Sequence, residues 1–260
     1  MKAIEFLGGE RQTEGSWEFV LPVELHGAFG GAFGGVQAAC AVAAARSLAD
    51  GRAPCALDCR FVRGLPAGPA ELSPTVIHQG RSLSCVSVDV LDERGRLATR
   101  ATVSLVDPGT LHRIDRAGAA ATTSGWPGYE TGSPWRSPPG AGIPIVATIA
   151  PRIVGEDERG VATALRVPWD DEDAAAEAAC LAADLCVGPP VAMALRGERV
   201  LHPNPDLSLR FAAAPSHELV GVGRLEVIVA GLAVVHVEVW SGGELAAVGV
   251  STSLLLPRPA

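Results

Sequence analysis

The sequence predicts an α+β protein built from two copies of one unit, and a repeated hairpin is the first reason. Residues 80–106 and 231–256 each hold an alternating strand, a polar glycine-containing turn and a second strand. Period-2 alternation buries one face of a strand, and a polar turn between two such runs predicts a hairpin. Leu97 and Leu245 follow the two turns at matching places, which indicates a duplication.

A buried helix before each hairpin is the second reason. Residues 36–48 (VQAACAVAAARSL) are apolar on nearly every side and have high helix propensity, so we expect this helix to lie inside the protein. Residues 172–187 form the matching helix of the second copy, and the Asp-rich start suits the positive end of a helix. Each half also has predicted strands around its helix, at 15–25, 55–63, 71–79, 82–91 and 96–106, and then at 161–169, 205–213, 217–229, 232–241 and 244–255.

A proline-rich stretch separates the two copies. Residues 107–143 hold five prolines among Ser, Thr and Gly, which is typical of a surface linker. We therefore predict an N-terminal unit at 1–106, a linker at 107–155 and a C-terminal unit at 156–260. An antiparallel sheet wrapped around one apolar helix is the hotdog arrangement, so the chain is expected to be a double hotdog.

The amino-acid composition and net charge limit the kinds of partner that the protein is expected to bind. The 260 residues are 48% hydrophobic and 19% charged with a net charge of −8, which opposes disorder and binding to nucleic acid or an anionic membrane. No apolar run is judged long enough for a bilayer span, and the N-terminus lacks a secretory apolar region. We expect a soluble cytoplasmic protein with no membrane or nucleic-acid partner, and reduced cysteines.

The basic residues exclude several chemistries. Lys2 is the only lysine, whereas Schiff-base, pyridoxal-phosphate and P-loop enzymes all need one in their interior. The scattered histidines and the unpaired Cys55-x-x-x-Cys59 make a zinc site improbable. No cofactor and no metal are therefore expected.

Three segments resemble the double-hotdog acyl-CoA thioesterases of the thioesterase II type. Residues 33–45 (FGGVQAACAVAAA) are similar to the family's FGG-Q segment, which includes Gly34, Gly35 and Gln37 as substrate-binding candidates. Residues 59–69 resemble its strand-to-turn segment, and residues 179–188 resemble its second helix. The resemblance implies hydrolysis of an acyl thioester carried by coenzyme A or an acyl carrier protein.

The resemblance also implies a set of catalytic residues. The family holds its attacking water with an aspartate on the second helix, a hydroxyl residue and a glutamine. Asp184 stands at the aspartate position, Asn204 where the hydroxyl residue is usual, and Ser251 where glutamine is usual. Asn and Ser can still hydrogen-bond a water. A carboxylate in so apolar a helix either has a raised pKa and a function, or lies on the exposed side or near the C-terminus of the helix.

The glycine loop at residues 26–35 has two interpretations. Its N–H groups, placed before a buried helix, could polarise a thioester carbonyl, or its glycines could serve only a flexible turn. His26 also begins an H-x-x-x-G-x-x-x-x-G pattern, similar to the histidine motif of polyketide-type double-hotdog dehydratases, with Gly35 in place of the final proline. His26 and Asp184 could then be the acid–base pair of a dehydratase acting on a β-hydroxyacyl substrate.

Hydrolysis is the leading hypothesis, with Asp184, Asn204 and Ser251 around the water. Dehydration through His26 and Asp184 is the alternative, and a non-catalytic acyl-binding protein is the third. Because hotdog sheets commonly extend edge to edge, we also expect a homo-oligomer.

Overall fold

A large antiparallel sheet dominates the computed structural model, which describes residues 2–13, 16–112, 125–136, 142–158, 160–212 and 217–258. Its strands are β1 (Gly9–Thr13), β2 (Ser16–Leu21), β3 (Ala53–Phe61), β4 (Gly68–Gln79), β5 (Leu83–Asp92), β6 (Leu97–Val106), β7 (Ser133–Pro134), β8 (Arg152–Glu156), β9 (Gly160–Arg166), β11 (Asp206–Phe211), β12 (Glu218–Val229), β13 (Leu232–Ser241) and β14 (Glu244–Leu254). A separate pair joins β10 (Val200–Leu201) to β15 (Leu256–Pro257).

Five α-helices lie in the described part of the chain. They are α1 (Ala3–Phe6), α2 (Gly34–Arg46), α3 (Pro144–Ile149), α4 (Ala175–Leu185) and α5 (Gly188–Ala194). Short 3-10 turns occur at Val23–Leu25, Pro108–Thr110, Tyr129–Thr131 and Glu172–Ala174.

The order of the strands repeats across the middle of the sheet. It runs β1-β2-β4-β5-β6-β3 and then β11-β14-β13-β12-β9-β8-β7, so the second half follows the first in reverse. The halves join through β3 and β11, where Cys59 faces Leu207 and Leu57 faces Leu209 in antiparallel register. A mirrored strand order around a central antiparallel pair is what a local two-fold axis between the two halves produces. The repeated hairpins predicted from the sequence are β5–β6 and β13–β14.

The two long helices, α2 and α4, are buried against each other and against the sheet. Ten residues of α2 and ten of α4 are buried. Their alanines and glycines allow close approach: a Cβ on Gly35 would lie 2.8 Å from the Cys180 carbonyl oxygen. The start of α2 lies beside the end of α4, and the end of α2 beside the start of α4. The helices therefore run antiparallel.

One segment has the length and hydropathy of a membrane span, contrary to the expectation from sequence. Residues Ala175–Ala194 pass that test, yet 78% of the window is buried inside the protein. That degree of burial is typical of a core helix.

Several elements were not anticipated from the sequence. The predicted linker contains β7, α3 and β8, while its residues 113–124 and 137–141 lie outside the described part. The opening strand is shorter than predicted, since β2 ends at Leu21 and Pro22 begins a 3-10 turn. The six cysteines are free thiols.

Candidate active site

Asp184 lies in the last turn of α4, inside the protein. The residue is only 5% exposed, so the expectation of an acid on the exposed side of the helix is wrong, although its place in the last turn agrees with an acid near the helix C-terminus. Burial raises the pKa of Asp184 to about 6, because removing water disfavours the charged form. The carboxyl group can therefore exchange a proton near neutral pH.

Two hydrogen bonds from different parts of the chain hold this carboxylate. The main-chain N–H of Gly35 donates to Asp184 Oδ2 at 2.8 Å, and Asn204 Nδ2 donates to Asp184 Oδ1 at 2.7 Å. Both bonds favour the ionised form and lower the pKa, though less than burial raises it. The positive end of the α2 dipole also faces this carboxylate. The site is thus shared between the two halves.

The glycines at the start of α2 make room for the carboxylate. A Cβ on Gly34 would lie 2.9 Å from Asp184 Oδ2 and 2.9 Å from two ring atoms of Phe61. A Cβ on Gly35 would meet Cys180, Leu181 and the ring of Phe33 at 2.8–3.0 Å. Close approach of the backbone is therefore the physical reason for this glycine pair, rather than flexibility. The N–H of Gly35 already donates its hydrogen bond to Asp184. It is therefore not available to polarise a thioester carbonyl, as was expected of the N–H groups of this loop.

Gln37 supports the glycine loop. Its Nε2 donates to the carbonyl oxygen of Ala32 at 2.9 Å, and its Oε1 accepts from the Thr99 hydroxyl at 2.6 Å. The residue is 4% exposed. Gln37 thereby ties the loop to β6, and both ends of its side chain are already occupied by protein groups.

Ser251 is buried on β14, but its hydroxyl is engaged elsewhere. Ser251 Oγ donates to the main-chain oxygen of Asp206 at 2.7 Å, and Asp206 Oδ1 accepts from the Thr252 N–H. Among the described contacts, none joins Ser251 to Asp184. These bonds fix β14 to the start of β11, two residues after Asn204.

His26 does not meet Asp184 among the described contacts. Its main chain bridges to Ala32 and accepts a hydrogen bond from Ile145 at the start of α3. The residue is 8% exposed, its Nε2 has no partner, and burial lowers the pKa of the imidazole. No described hydrogen bond or ion pair therefore joins the two residues that the dehydratase alternative requires.

Two polar residues beside the helices were missed from the sequence. His202, two residues before Asn204, meets the exposed Phe29 of the glycine loop edge-on at 6.4 Å, and burial lowers the pKa of His202. Glu177 of α4 is fully buried and paired with Arg46 of α2. A glutamate within an alanine-rich helix could have drawn attention to Glu177 from the sequence alone. The segment HPNP at residues 202–205 contains no pattern that would have indicated a role for His202. No metal-binding cluster occurs among the described residues.

The first half of the chain matches a known domain family. Residues 22–106 match the model of the acyl-CoA thioesterase N-terminal domain. The predicted resemblance to acyl-CoA thioesterases is confirmed. The predicted enzyme class, an acyl-CoA thioesterase-like hydrolase, rests on this match, which includes Gly34, Gly35 and Gln37 but ends before Asp184 and Asn204. No curated protein matches the sequence.

Solved structures establish the fold over the whole chain. A conserved hot dog protein from Alicyclobacillus acidocaldarius is 21% identical, with full coverage of both chains and a TM-score of 0.81. A tesB protein from Mycobacterium avium subs paratuberculosis is 19% identical, with 98% of each chain covered and a TM-score of 0.78. An acyl-CoA thioesterase II from Mycobacterium marinum is 18% identical, covering 99% of this chain and 98% of its own, with a TM-score of 0.71. The chain has the hot dog fold.

Proposed function

We propose that the chain is a double hotdog enzyme that hydrolyses an acyl thioester, with Asp184 as the general base. The observation that carries this proposal is the buried carboxylate itself, held by Gly35 of one half and by Asn204 of the other. A general base works best when its pKa lies near the operating pH, and burial raises the pKa of Asp184 to about 6. The carboxylate is then mostly ionised at pH 7 and ready to accept a proton.

The chemical step needs one water and no cofactor. Asp184 removes a proton from the water as its oxygen bonds to the thioester carbonyl carbon, giving a tetrahedral intermediate. The carbon–sulfur bond then breaks, the acid is released, and the proton held by Asp184 passes to the departing thiolate. Asn204 helps in two ways: its Nδ2 orients the carboxylate, and its Oδ1 can accept a hydrogen bond from the water.

The start of α2 can stabilise the developing negative charge on the carbonyl oxygen. Gly34 is the first residue of the helix, and no acceptor among the described residues is bonded to its N–H. An oxyanion beside a helix N-terminus is favoured both by the free N–H and by the helix dipole. In this arrangement Gly35 positions the base and Gly34 polarises the substrate.

Acyl-coenzyme A is the substrate class that the matched domain favours. The test is release of free thiol from acyl-CoAs of short, medium and long chain, followed with a thiol-reactive dye. Catalysed release from at least one acyl-CoA is expected. Release only from acyl carrier protein thioesters would show that the substrate is carried by that protein and not by coenzyme A, while the proposed hydrolysis would stand. No release from either carrier would contradict hydrolysis and favour a protein that binds acyl groups without cleaving them.

A further inference from the structure

An exposed aromatic ring and an imidazole lie together beside the candidate active site. Phe29 of the glycine loop is 51% exposed, and it is the only aromatic residue among the large apolar residues exposed in the described part of the chain. Its ring meets the imidazole of His202 edge-on, with 6.4 Å between the ring centroids. Sites for small ligands combine aromatic surface with a few polar groups, and this pair offers both.

The chain places His202 close to the proposed base. The segment HPNP has a proline after His202 and another after Asn204, and a following proline favours an extended backbone. His202 therefore lies about 6 Å along the chain from Asn204, the donor to Asp184. From the other side, a Cβ on Gly188 would lie 3.8 Å from His202 Cε1, and Gly188 begins α5, four residues after Asp184. The imidazole thus lies at the edge of the candidate active site.

One nitrogen of His202 is open to a ligand. Nδ1 is buried without a partner, so no ligand reaches it. Nε2 has no described hydrogen bond and is not among the buried atoms that lack a partner, so it is open to solvent. Burial lowers the pKa of His202, which keeps the ring mostly neutral at pH 7. A neutral imidazole can exchange one hydrogen bond with an amide through Nε2.

Two arginines lie opposite each other on the strand pair that leads to His202. Val200 of β10 pairs with Pro257 of β15, and the N–H of Arg258 donates to the carbonyl oxygen of Arg199 at 3.2 Å. Both arginines are exposed, and neither forms an ion pair with the described residues. Like charges directly opposite each other on neighbouring strands are unfavourable, so this pair favours an anion beside it.

The surface around these arginines is locally basic. The other charged residues of segment 195–202 are Arg196 and Glu198, so three arginines stand against one glutamate in a chain with a net charge of −8. A positive patch of this kind attracts an anion. Arg199 is five residues from Asn204, which corresponds to about 16 Å along an extended chain. An anion bound there would be well separated from the reacting carbonyl.

We propose that this surface binds the phosphopantetheine arm of the thioester substrate. The dimethyl part of the arm packs on Phe29, an amide of the arm hydrogen-bonds to His202 Nε2, and the phosphate at its far end lies between Arg199 and Arg258. A nucleotide or a carrier protein is too large to enter the protein, so the carrier occupies the exposed side of Asp184. This inference rests on the proposed hydrolysis of an acyl thioester and assigns the carrier end of that substrate.

Coenzyme A is the first probe, because its binding needs no hydrolysis. Isothermal titration should show one coenzyme A per chain, with an affinity that falls as salt screens the arginines. The double variant Arg199→Ala/Arg258→Ala should weaken this binding at least about tenfold, since it removes two charged contacts to phosphate. Arg81→Ala should not, because Arg81 is an exposed arginine beside Arg52, beyond the far end of α2.

Kinetics separate binding of the arm from catalysis. Phe29→Ala and His202→Ala should raise KM for the best acyl-CoA about three- to tenfold and leave kcat within about twofold. The S-ethyl thioester of the same acyl group has no arm, so its kcat/KM should not change in either variant. His202→Gln keeps a nitrogen near the position of Nε2 and should recover most of the affinity for coenzyme A.

Three results would overturn the assignment. Unchanged coenzyme A binding in the arginine and Phe29 variants would place the arm elsewhere. An equal loss of kcat/KM on both thioesters in His202→Ala would show that His202 acts through Asn204 and does not bind the arm. A wild type that binds neither coenzyme A nor a holo acyl carrier protein would leave this surface without a phosphopantetheine ligand.

Two other results would keep the assignment. Binding of the holo acyl carrier protein alone, weakened by the same variants, would identify that protein as the carrier. Coenzyme A binding that these variants weaken, in a protein that releases no thiol from any acyl thioester, would contradict the proposed hydrolysis and leave this site in place.

Discussion

The main-chain N–H of Gly35 lies 2.8 Å from Asp184 Oδ2, joining two residues 149 positions apart in the sequence. This bond connects the first turn of α2 to the last turn of α4. It makes the base depend on both copies of the repeated unit, since neither half contains the whole arrangement. Substitutions at Gly35 and at Asp184 should therefore both lower the same thioesterase activity.

Gly35→Ala is expected to lower both stability and thioesterase activity. The new Cβ would meet the Cys180 carbonyl oxygen at 2.8 Å and Leu181 Cα at 3.0 Å, so the helices must separate and the bond to Asp184 must lengthen. Overpacking of this kind costs about 1–3 kcal/mol. Urea unfolding and turnover measure the two effects. Gly125→Ala, where a Cβ meets nothing within 4 Å, should change neither.

Asn204→Ala should reduce turnover by about 10- to 100-fold, because the carboxylate loses the donor that orients it. Its bond lowers the pKa of Asp184, so the pH at which activity is half-maximal should also move upward. Asn204→Thr restores a hydroxyl donor and should recover part of the rate. An unchanged pH profile in Asn204→Ala would show that the contact does not tune the base.

Activity and stability should respond to pH in opposite directions. Thioester hydrolysis needs ionised Asp184, so the rate should rise with pH through about 6 and then level off. In the folded state Asp184 and Glu177 have pKa values raised above the values of 3.8 and 4.5 expected without burial. The folded state therefore binds more protons between about pH 4 and pH 7, and the free energy of unfolding should fall as pH rises through that window. Asp184→Asn should show a smaller fall, with the rest due to Glu177.

His26→Ala should change turnover by less than about twofold, because no described contact joins the imidazole to Asp184. Steady-state kinetics on the best acyl-CoA provide the measurement. A large loss of turnover in a variant that unfolds like the wild type would instead favour the acid–base chemistry of a dehydratase. Assay of a β-hydroxyacyl thioester would then be the next step.

Ser251→Ala should affect stability more than catalysis. The hydroxyl donates to Asp206 inside the protein, and loss of such a bond costs about 1 kcal/mol. Turnover should fall less than about threefold. A hundredfold fall in turnover with unchanged stability would show that Ser251 takes part in catalysis, as the family resemblance implies.

The sequence was sufficient for the repeated hairpins and for both central helices, because alternation and apolar composition are local signals. The family resemblance and the unusual carboxylate in an alanine-rich helix both drew attention to Asp184, whose burial the structure shows. The sequence could not show the partner of each polar group. Gln37 and Ser251 were assigned to the site by resemblance, yet their hydrogen bonds go to Ala32, Thr99 and Asp206. The contacts with Thr99 and Asp206 depend on how distant elements of the chain pack together, which no local pattern reveals.

Asp184→Asn tests the central claim most directly. The substitution keeps the size of the side chain but removes the group that accepts the proton, while Asp89→Asn on the surface strand β5 is a matched control. Thiol release from the best acyl-CoA, measured at pH 7.5 on variants shown to be folded, should fall at least about a thousandfold in Asp184→Asn and stay near the wild-type rate in Asp89→Asn. Wild-type turnover by folded Asp184→Asn would contradict the assignment of Asp184 as the base.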